Sequence, residues 1–265
     1  MAIKIQNIRF GYEGSALLKD CSFNIGKGKI YSLLGGNGCG KTTLIKIIGG
    51  VLKAESGNII IDDREIGKIK TKELARKIAY VPQEHISSFP YSVLEIVVMG
   101  RNPYLGMFSR PSVKDYNIAK EALNLVGICS LKDRNYMNLS GGEKQLVFIA
   151  RAIAQEAKYI LLDEPTANLD FKNQYKVLNI ISKIVSERKI GVLISLHDPN
   201  LALTFSDYGI MIKDGSVLAN GNMDDILTNQ NLRLLYDAEV NVSYLDKGRK
   251  FISIVQEKEE YMMIV

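Results

Sequence analysis

Ile3, Ile5 and Ile8 alternate with polar residues, and Leu17 to Ile25 repeats the alternation. The chain is therefore expected to open with two antiparallel strands, the first at a sheet edge, joined by a turn at Gly11 to Gly14. The pattern then shifts to that of a buried parallel sheet. Ile30, Tyr31, Leu33 and Leu34 form a nearly continuous apolar run, and Leu44, Ile45, Ile47 and Ile48 recur at the spacing of one helix face. Gly57 to Ile61 reads as a strand, Thr71 to Lys77 as a short helix, and Ile78 to Val81 as a strand stopped by Pro82. From Ser92 to Gly127 the spacing is helical, with Val93, Ile96, Val97, Ile118, Ala122, Leu125 and Val126 on apolar faces, and Leu146 to Ile153 is again amphipathic. This reads as an inserted helical subdomain. Tyr159 to Leu162 and Ile190 to Leu196 are strands apolar on both faces, flanking a helix at Phe171 to Glu187. Asp198 and Pro199 start another helix as N-cap and first residue. Tyr208 to Ile212 and Ser216 to Ala219 form a hairpin turning at Asp214 and Gly215. A short helix at Leu232 to Tyr236 and strands at Val240 to Tyr244 and Phe251 to Val255 complete the pattern.

Composition narrows this picture modestly. A chain of 265 residues suits one large or two small domains with a sizeable core. The net charge is +5, but the cations are dispersed (Lys68, Lys70, Lys72; Lys247, Arg249, Lys250) among acids, as on solvated faces, so no nucleic-acid partner is expected. Cys21, Cys39 and Cys129 lack the number and spacing of a disulfide framework or zinc site, which points to a reducing cytoplasm. Met1 to Phe10 lacks the form of a signal peptide, and no apolar run approaches the ~18 residues of a membrane span.

The strongest chemical signal is Gly35 to Thr43, GGNGCGKTT, which matches GxxxxGK[ST] and follows a strand into a helix. Glycines at this spacing let successive backbone N–H groups of Gly35, Gly36, Asn37, Gly38, Cys39 and Gly40 converge on phosphate oxygens. Lys41 can reach the outer phosphates, Thr42 can offer its hydroxyl to Mg²⁺, and the helix adds the positive end of its dipole.

Other candidates surround this loop. Asp163 and Glu164 close a buried strand, and because strand side chains alternate, one acid can serve a metal and the other a water. Gln83 follows the strand that stops at Pro82, and His197 lies between a strand end and a helix N-terminus; both occupy the sheet edge where open α/β sheets bind ligands. Ser140 and Glu143 make a capping box, but Gly141 and Gly142 weaken that first turn by on the order of 1 kcal/mol each, so a second phosphate contact is expected there. Tyr12, in the first turn, can stack on a base or lie over its own hairpin.

With Leu139 to Glu143 reading LSGGE beside the phosphate loop, the chain resembles, over nearly its whole length, the nucleotide-binding ATPases of ATP-binding cassette (ABC) transporters. The resemblance implies an α/β fold: a P-loop NTPase core with a mixed, mainly parallel sheet, an antiparallel β subdomain and an inserted helical subdomain. It implies one domain over 1–265, with the core, its antiparallel region and a C-terminal extension in 1–84 and 157–265, and the helical subdomain in 85–156 ending in the signature. ATP and Mg²⁺ are the implied cofactors. By the same resemblance Tyr12 stacks on adenine, and Gly35 to Thr43, Thr43 included, cradles the phosphates. Gln83 contacts Mg²⁺ and the attacking water, Asp163 holds Mg²⁺ through water, Glu164 is the general base and His197 contacts the γ-phosphate. Asp170 lies in the loop that crosses a dimer interface, while Ser140, Gly141 and Gly142 bind the γ-phosphate held by the other subunit. The implied partners are a second copy in a head-to-tail ATP-sandwich homodimer, integral membrane permease subunits and, indirectly, a substrate-binding protein, with the chain peripheral on the cytoplasmic membrane face.

Gly36 departs from the family, which commonly has proline there. Val97 to Tyr104, VVMGRNPY, resembles importers of iron complexes such as siderophores and haem, and of cobalamin. Molybdate, tungstate and zinc importers have similar ATPases. Soluble ABC ATPases acting on nucleic acid or ribosomes share the cassette, but they usually carry two cassettes or a long coiled-coil insertion. No NKxD guanine motif is present.

Overall fold

The computed structural model describes residues 2–83, 90–244 and 250–255. Strands β1 (Ala2–Tyr12) and β2 (Ser15–Gly26) pair antiparallel, with Tyr12 opposite Ser15, so the turn contracts to Glu13 and Gly14. Both turn residues have positive φ, 48° and 82°, as a tight hairpin of this hand requires. There follow β3 (Ile30–Leu34), α1 (Lys41–Ile48), β4 (Ser56–Ile61), β5 (Arg64–Glu65), α2 (Thr71–Ala75) and β6 (Ile78–Val81). Strand β1 is not at an edge: β4 pairs along its free side, Ile3 opposite Ile61, and β5 takes the edge. Alternation reveals which face of a strand is buried but not how many neighbours it has, which explains the mismatch.

Helices α3 (Val93–Val98), α4 (Val113–Leu125) and α5 (Gly141–Ala154) pack together, each opened by a serine capping box: Ser92 with Glu95, Ser112 with Asp115, Ser140 with Glu143. The helical stretch expected from Ser92 is interrupted where Met99–Tyr104 tightens to 3₁₀ geometry around Pro103, which has no N–H to continue an α-helix. The remaining elements are β7 (Tyr159–Leu162), α6 (Phe171–Arg188), β8 (Gly191–Ser195), α7 (Pro199–Phe205), β9 (Tyr208–Lys213), β10 (Ser216–Asn222), α8 (Met223–Ile226), α9 (Asn229–Tyr236), β11 (Val240–Tyr244) and β12 (Lys250–Ile254). The expected boundary between residues 84 and 85, and the tail from 256, lie outside the described residues.

Ten strands form one sheet in the order β5-β4-β1-β2-β10-β9-β3-β8-β7-β6, and β11 and β12 pair separately. The antiparallel part meets the parallel core through little more than Ser216 opposite Asp20 and the Lys19 N–H donating to the Gly215 carbonyl. Helix α1 fills the angle between them. Its Leu44, Ile45, Ile47 and Ile48 pack with Ile3, Ile5 and Phe23 of the antiparallel face and with Leu33, Leu161 and Leu193 of the core. The alternate core residues, Ile160, Leu162, Val192 and Ile194, face α5 and α6 on the other side, which is why these strands carry apolar residues on both faces.

Gly100 and Arg101 join the helical layer to the core. A Cβ on Gly100 would sit 2.3 Å from the Arg151 carbonyl oxygen, so only glycine lets this segment cross the end of α5. Arg101, 4% exposed, donates to Asp115 Oδ1 (3.1 Å), the Ala154 carbonyl (2.8 Å) and Glu156 Oε2 (2.6 Å), and its guanidinium lies 4.1 Å from the Tyr104 ring centroid. Arg76, just past α2, donates to the Pro103 carbonyl at 3.0 Å. Hydrogen bonds from the Ser112 hydroxyl and backbone, joined by Arg101 and opposed by burial, hold the Asp115 carboxyl down to about 2 from 3.8. A depressed folded pKa means that this stabilisation is present above the ordinary carboxylate pKa and disappears as pH falls through the folded one. Arg101→Met is expected to destabilise the chain by about 3 kcal/mol in urea unfolding, because it strands a buried carboxylate. In the parent chain, stability falls as pH drops from about 4 to about 2, and Asp115→Asn flattens that limb.

Candidate active site

Strands β3, β8, β7 and β6 run parallel, with Leu33 opposite Ser195, Ile194 opposite Leu162 and Leu162 opposite Val81. Their carboxyl ends therefore form one row. The loops leaving that row carry Gly35, His197, Asp163 with Glu164, and Gln83, so four separate sequence signals converge on one edge.

The phosphate loop is a backbone cradle shaped by steric exclusion. Gly38 and Gly40 have φ of 75° and 103°, left-handed conformations that side chains rarely adopt. A Cβ on Gly35 would lie 2.5 Å from the Ile212 carbonyl oxygen and 2.6 Å from Cys39 Sγ, whereas a Cβ on Gly36 would meet nothing within 4 Å. The departure at Gly36 is thus sterically neutral. Lys41, 5% exposed, folds back so that Nζ donates to the carbonyls of Gly35 (2.8 Å) and Gly36 (2.9 Å). Side chains cap α3 through α9, but α1 begins at Gly40 with no side-chain cap. Its first N–H groups are therefore available to an anion. A depression of about 150 Å³ opens over this loop, lined by Leu17, Asn37, Gly38, Gly40, Lys41, Thr42, Thr43 and Glu164. A larger groove of about 470 Å³ lies elsewhere, beneath β4, with Ile47, Ile59, Ile66 and Leu74 in its wall.

At the end of β7, Asp163 is fully buried and its Oδ1 accepts from the hydroxyls of Thr42 (3.0 Å) and Ser195 (3.0 Å). Its Oδ2 is buried without a hydrogen-bond partner among the described residues. Burial raises the Asp163 pKa against those two hydrogen bonds, with the Glu164 charge adding to the rise. Burial first, and then the nearby Asp163 carboxylate, push the Tyr80 hydroxyl up to about 12. Glu164 leaves the strand in a left-handed conformation, φ 47°, and its N–H donates to Ser195 Oγ at 2.7 Å. The two acids diverge because of this turn rather than by simple strand alternation. Glu164 is bonded at both oxygens: Gln83 Nε2 donates to Oε2 (2.7 Å), and His197 Nε2 lies 2.7 Å from Oε1.

The remaining candidates lie apart from this cluster. Ser140 and Gly141 are exposed at the start of α5, and Ser140 exchanges hydrogen bonds with Glu143 as the capping box requires. A Cβ on Gly141 would meet nothing within 4 Å, and one on Gly142 would approach Asn173, which Asp170 caps at the start of α6. Nothing in this chain's own packing requires glycine at 141. Among the described residues, no hydrogen bond or ion pair links Ser140 to Gly142 with the phosphate loop. Tyr12 ends β1 half exposed, with its ring edge-on to Phe10 at 4.8 Å.

Ser195 was missed by the sequence reading. Its signal was a polar residue closing an otherwise apolar strand, two positions before His197. Tyr236, whose hydroxyl donates to the His197 carbonyl at 3.3 Å, carried no such signal.

Comparison with known proteins agrees with this geometry: residues 18–167 match the protein family described as ABC transporter. The chain belongs to the ABC transporter family. As an ABC ATPase it binds and hydrolyses ATP. It is 36% identical to an iron chelatin transport ATP-binding protein of Helicobacter pylori, covering 93% of this chain and 97% of that protein. It is also 36% identical to a molybdate import ATP-binding protein of Haemophilus influenzae, covering 89% and 88%. Among solved structures it is similar to an inward-facing metal-chelate type ABC transporter, with a TM-score of 0.84, 33% identity and 96% of each chain covered. A dimeric, post-hydrolysis ATP-binding cassette bound to ADP and Pi matches with a TM-score of 0.71 and 29% identity over 83% of this chain and 98% of that one.

Gly35→Ala is expected to weaken ATP binding at least about tenfold, since its Cβ collides with backbone, while Gly36→Ala stays within about threefold of the parent. Equilibrium titration with a fluorescent ATP analogue measures both.

Proposed function

We propose that this ABC ATPase is the energy-coupling subunit of a membrane importer for iron complexes such as siderophores, haem or cobalamin, working as a head-to-tail homodimer. The observation that carries the dimer is the exposed Ser140 to Gly142 corner: its glycine at 141 has no intrachain reason, and it is unconnected to the phosphate loop of its own chain. A γ-phosphate presented by a second copy supplies that reason. The iron-complex reading rests on the H. pylori relative and the metal-chelate transporter, and the molybdate relative, of the same 36% identity over less of each chain, makes a molybdate importer the alternative. Within a single ATPase domain, the helices between Val93 and Ala154 act as the helical subdomain. Met107 and Phe108, 93% and 95% exposed, offer this subdomain an apolar contact to permease subunits at the cytoplasmic membrane face, and a substrate-binding protein acts through the permease.

The residues suit the following chemistry. Gly35 to Thr43 hold the triphosphate of ATP, with Lys41 leaving its two carbonyl acceptors for the outer phosphates, and Tyr12 stacks on adenine. Thr42 and Asp163 would hold Mg²⁺, with Gln83 adjoining; the partnerless Oδ2 of Asp163 suits a cation or its water, and Mg²⁺ would supply charge neutralisation of the phosphates. Glu164 accepts a proton from the attacking water, and Gln83 and His197, already bonded to its two oxygens, hold that carboxylate and turn toward water and γ-phosphate when ATP arrives. Asp170 lies beside the signature corner through Asn173 and contributes to the dimer interface.

Glu164→Gln is expected to keep ATP affinity and slow turnover by about 100-fold or more, so that ATP-bound dimers accumulate on size exclusion; unchanged turnover overturns the base assignment. Gly141→Trp keeps ATP binding by the monomer but abolishes those dimers. In membranes, Phe108→Ser releases the subunit from co-purifying integral proteins without changing its basal turnover. Stimulation of ATPase activity by RNA or DNA in place of membrane partners contradicts the importer reading.

A further inference from the structure

We infer that Ser195 is a positioning residue for ATP hydrolysis, whose single hydroxyl fixes the directions of both Asp163 and Glu164. The inference rests on the reading of Glu164 as the base.

Ser195 is the last residue of β8 and fully buried, and its hydroxyl has one proton to give. That proton goes to Asp163 Oδ1 at 3.0 Å, and the oxygen accepts the Glu164 N–H at 2.7 Å. The Asp163 N–H still bonds to the Val81 carbonyl, so the sheet ladder ends there. The next N–H, that of Glu164, would be an unsatisfied donor without Ser195. A left-handed non-glycine residue persists only where its surroundings over-determine it, and the hydrogen bond to Ser195 supplies that constraint on Glu164, φ 47°.

Two consequences follow for the site. Rotating Glu164 out of the strand direction carries its carboxylate to Gln83 and His197 rather than along β7. Saturating Asp163 Oδ1 with two hydroxyl donors, Thr42 and Ser195, leaves Oδ2 as the oxygen with unused acceptor capacity. One hydroxyl thereby separates the tasks of adjacent carboxylates. Ser195 is fully buried and bonded to both acids, so it acts through them.

The test is a double-mutant cycle on the full-length chain, with kcat, KM for ATP and equilibrium ATP affinity measured for Ser195→Ala, Glu164→Gln and the pair. Ser195→Ala is expected to lower kcat by about 10- to 100-fold while leaving ATP affinity within about threefold, because it misaims a group rather than removing one. In the Glu164→Gln background the same substitution costs clearly less than in the parent, since the part that acts through the Glu164 carboxylate is already lost and only the part through Asp163 remains. Ser195→Thr, which keeps the hydroxyl, restores at least about tenfold of the loss. An equal loss in both backgrounds, a loss confined to ATP affinity, or a folded Ser195→Thr as slow as Ser195→Ala overturns the proposal. If Glu164→Gln slows turnover and Ser195→Ala does not, only the role of Ser195 fails; if Glu164→Gln leaves turnover unchanged, the reading of the base fails with it.

Discussion

The parallel register of four strands is the constraint from which the site follows. With Leu33, Ser195, Leu162 and Val81 held near the carboxyl ends of β3, β8, β7 and β6, the residues that follow must meet along one edge. Because side chains alternate along each strand, a slip of one residue in β7 would turn Asp163 away from Thr42. Packing on both faces of these strands holds that register: Leu161 and Leu193 pack toward α1, and Ile160 and Ile194 toward α5 and α6. The chemistry is therefore a product of the core, positioned by burial long before any ligand arrives.

Within this edge, polar satisfaction does the finer work. Lys41 is bonded to loop carbonyls, Glu164 to Gln83 and His197, and Asp163 to two hydroxyls. Nearly every group with a proposed role in hydrolysis is thus held by a hydrogen bond within the site. These bonds limit the conformations from which ATP must recruit Lys41, Gln83 and His197, which reduces the ordering cost of binding. The partnerless oxygen of Asp163 and the uncapped start of α1 are the exceptions, and both lie where an Mg-nucleotide is expected.

Much of this was legible in the sequence, for identifiable reasons. Gly35 to Thr42, Asp163 and His197 could be located because each sits where a continuous apolar run stops, and such runs are recognisable without knowledge of their neighbours. Strand order was not legible: the pattern of Ile3, Ile5 and Ile8 is the same whether β1 has one neighbour or two. Nor was Ser195, whose importance comes from a contact with residues more than thirty positions earlier. The stretch at Gly100 to Tyr104 was informative in a different way. Its glycine, arginine and aromatic ring resemble iron-complex importers, yet in the fold they join α2, α4 and α5, so the likeness lies in a structural joint and not in any surface that could contact a transported substrate.

In the proposed homodimer, one chain holds half of each ATP site. The phosphate loop and its carboxylates lie at one edge, and at the exposed Ser140 and Gly141 corner nothing in the chain's own packing requires glycine at 141. The most direct measurement mixes the parent subunit with a mass-tagged Lys41→Ala subunit and adds an ATP analogue bearing a photoreactive group on its γ-phosphate. After illumination, a shared ATP site places label on the Ser140 to Gly142 peptide of the tagged subunit, which cannot hold the nucleotide itself. Label confined to the parent subunit, with both chains folded and ATP bound, would contradict it.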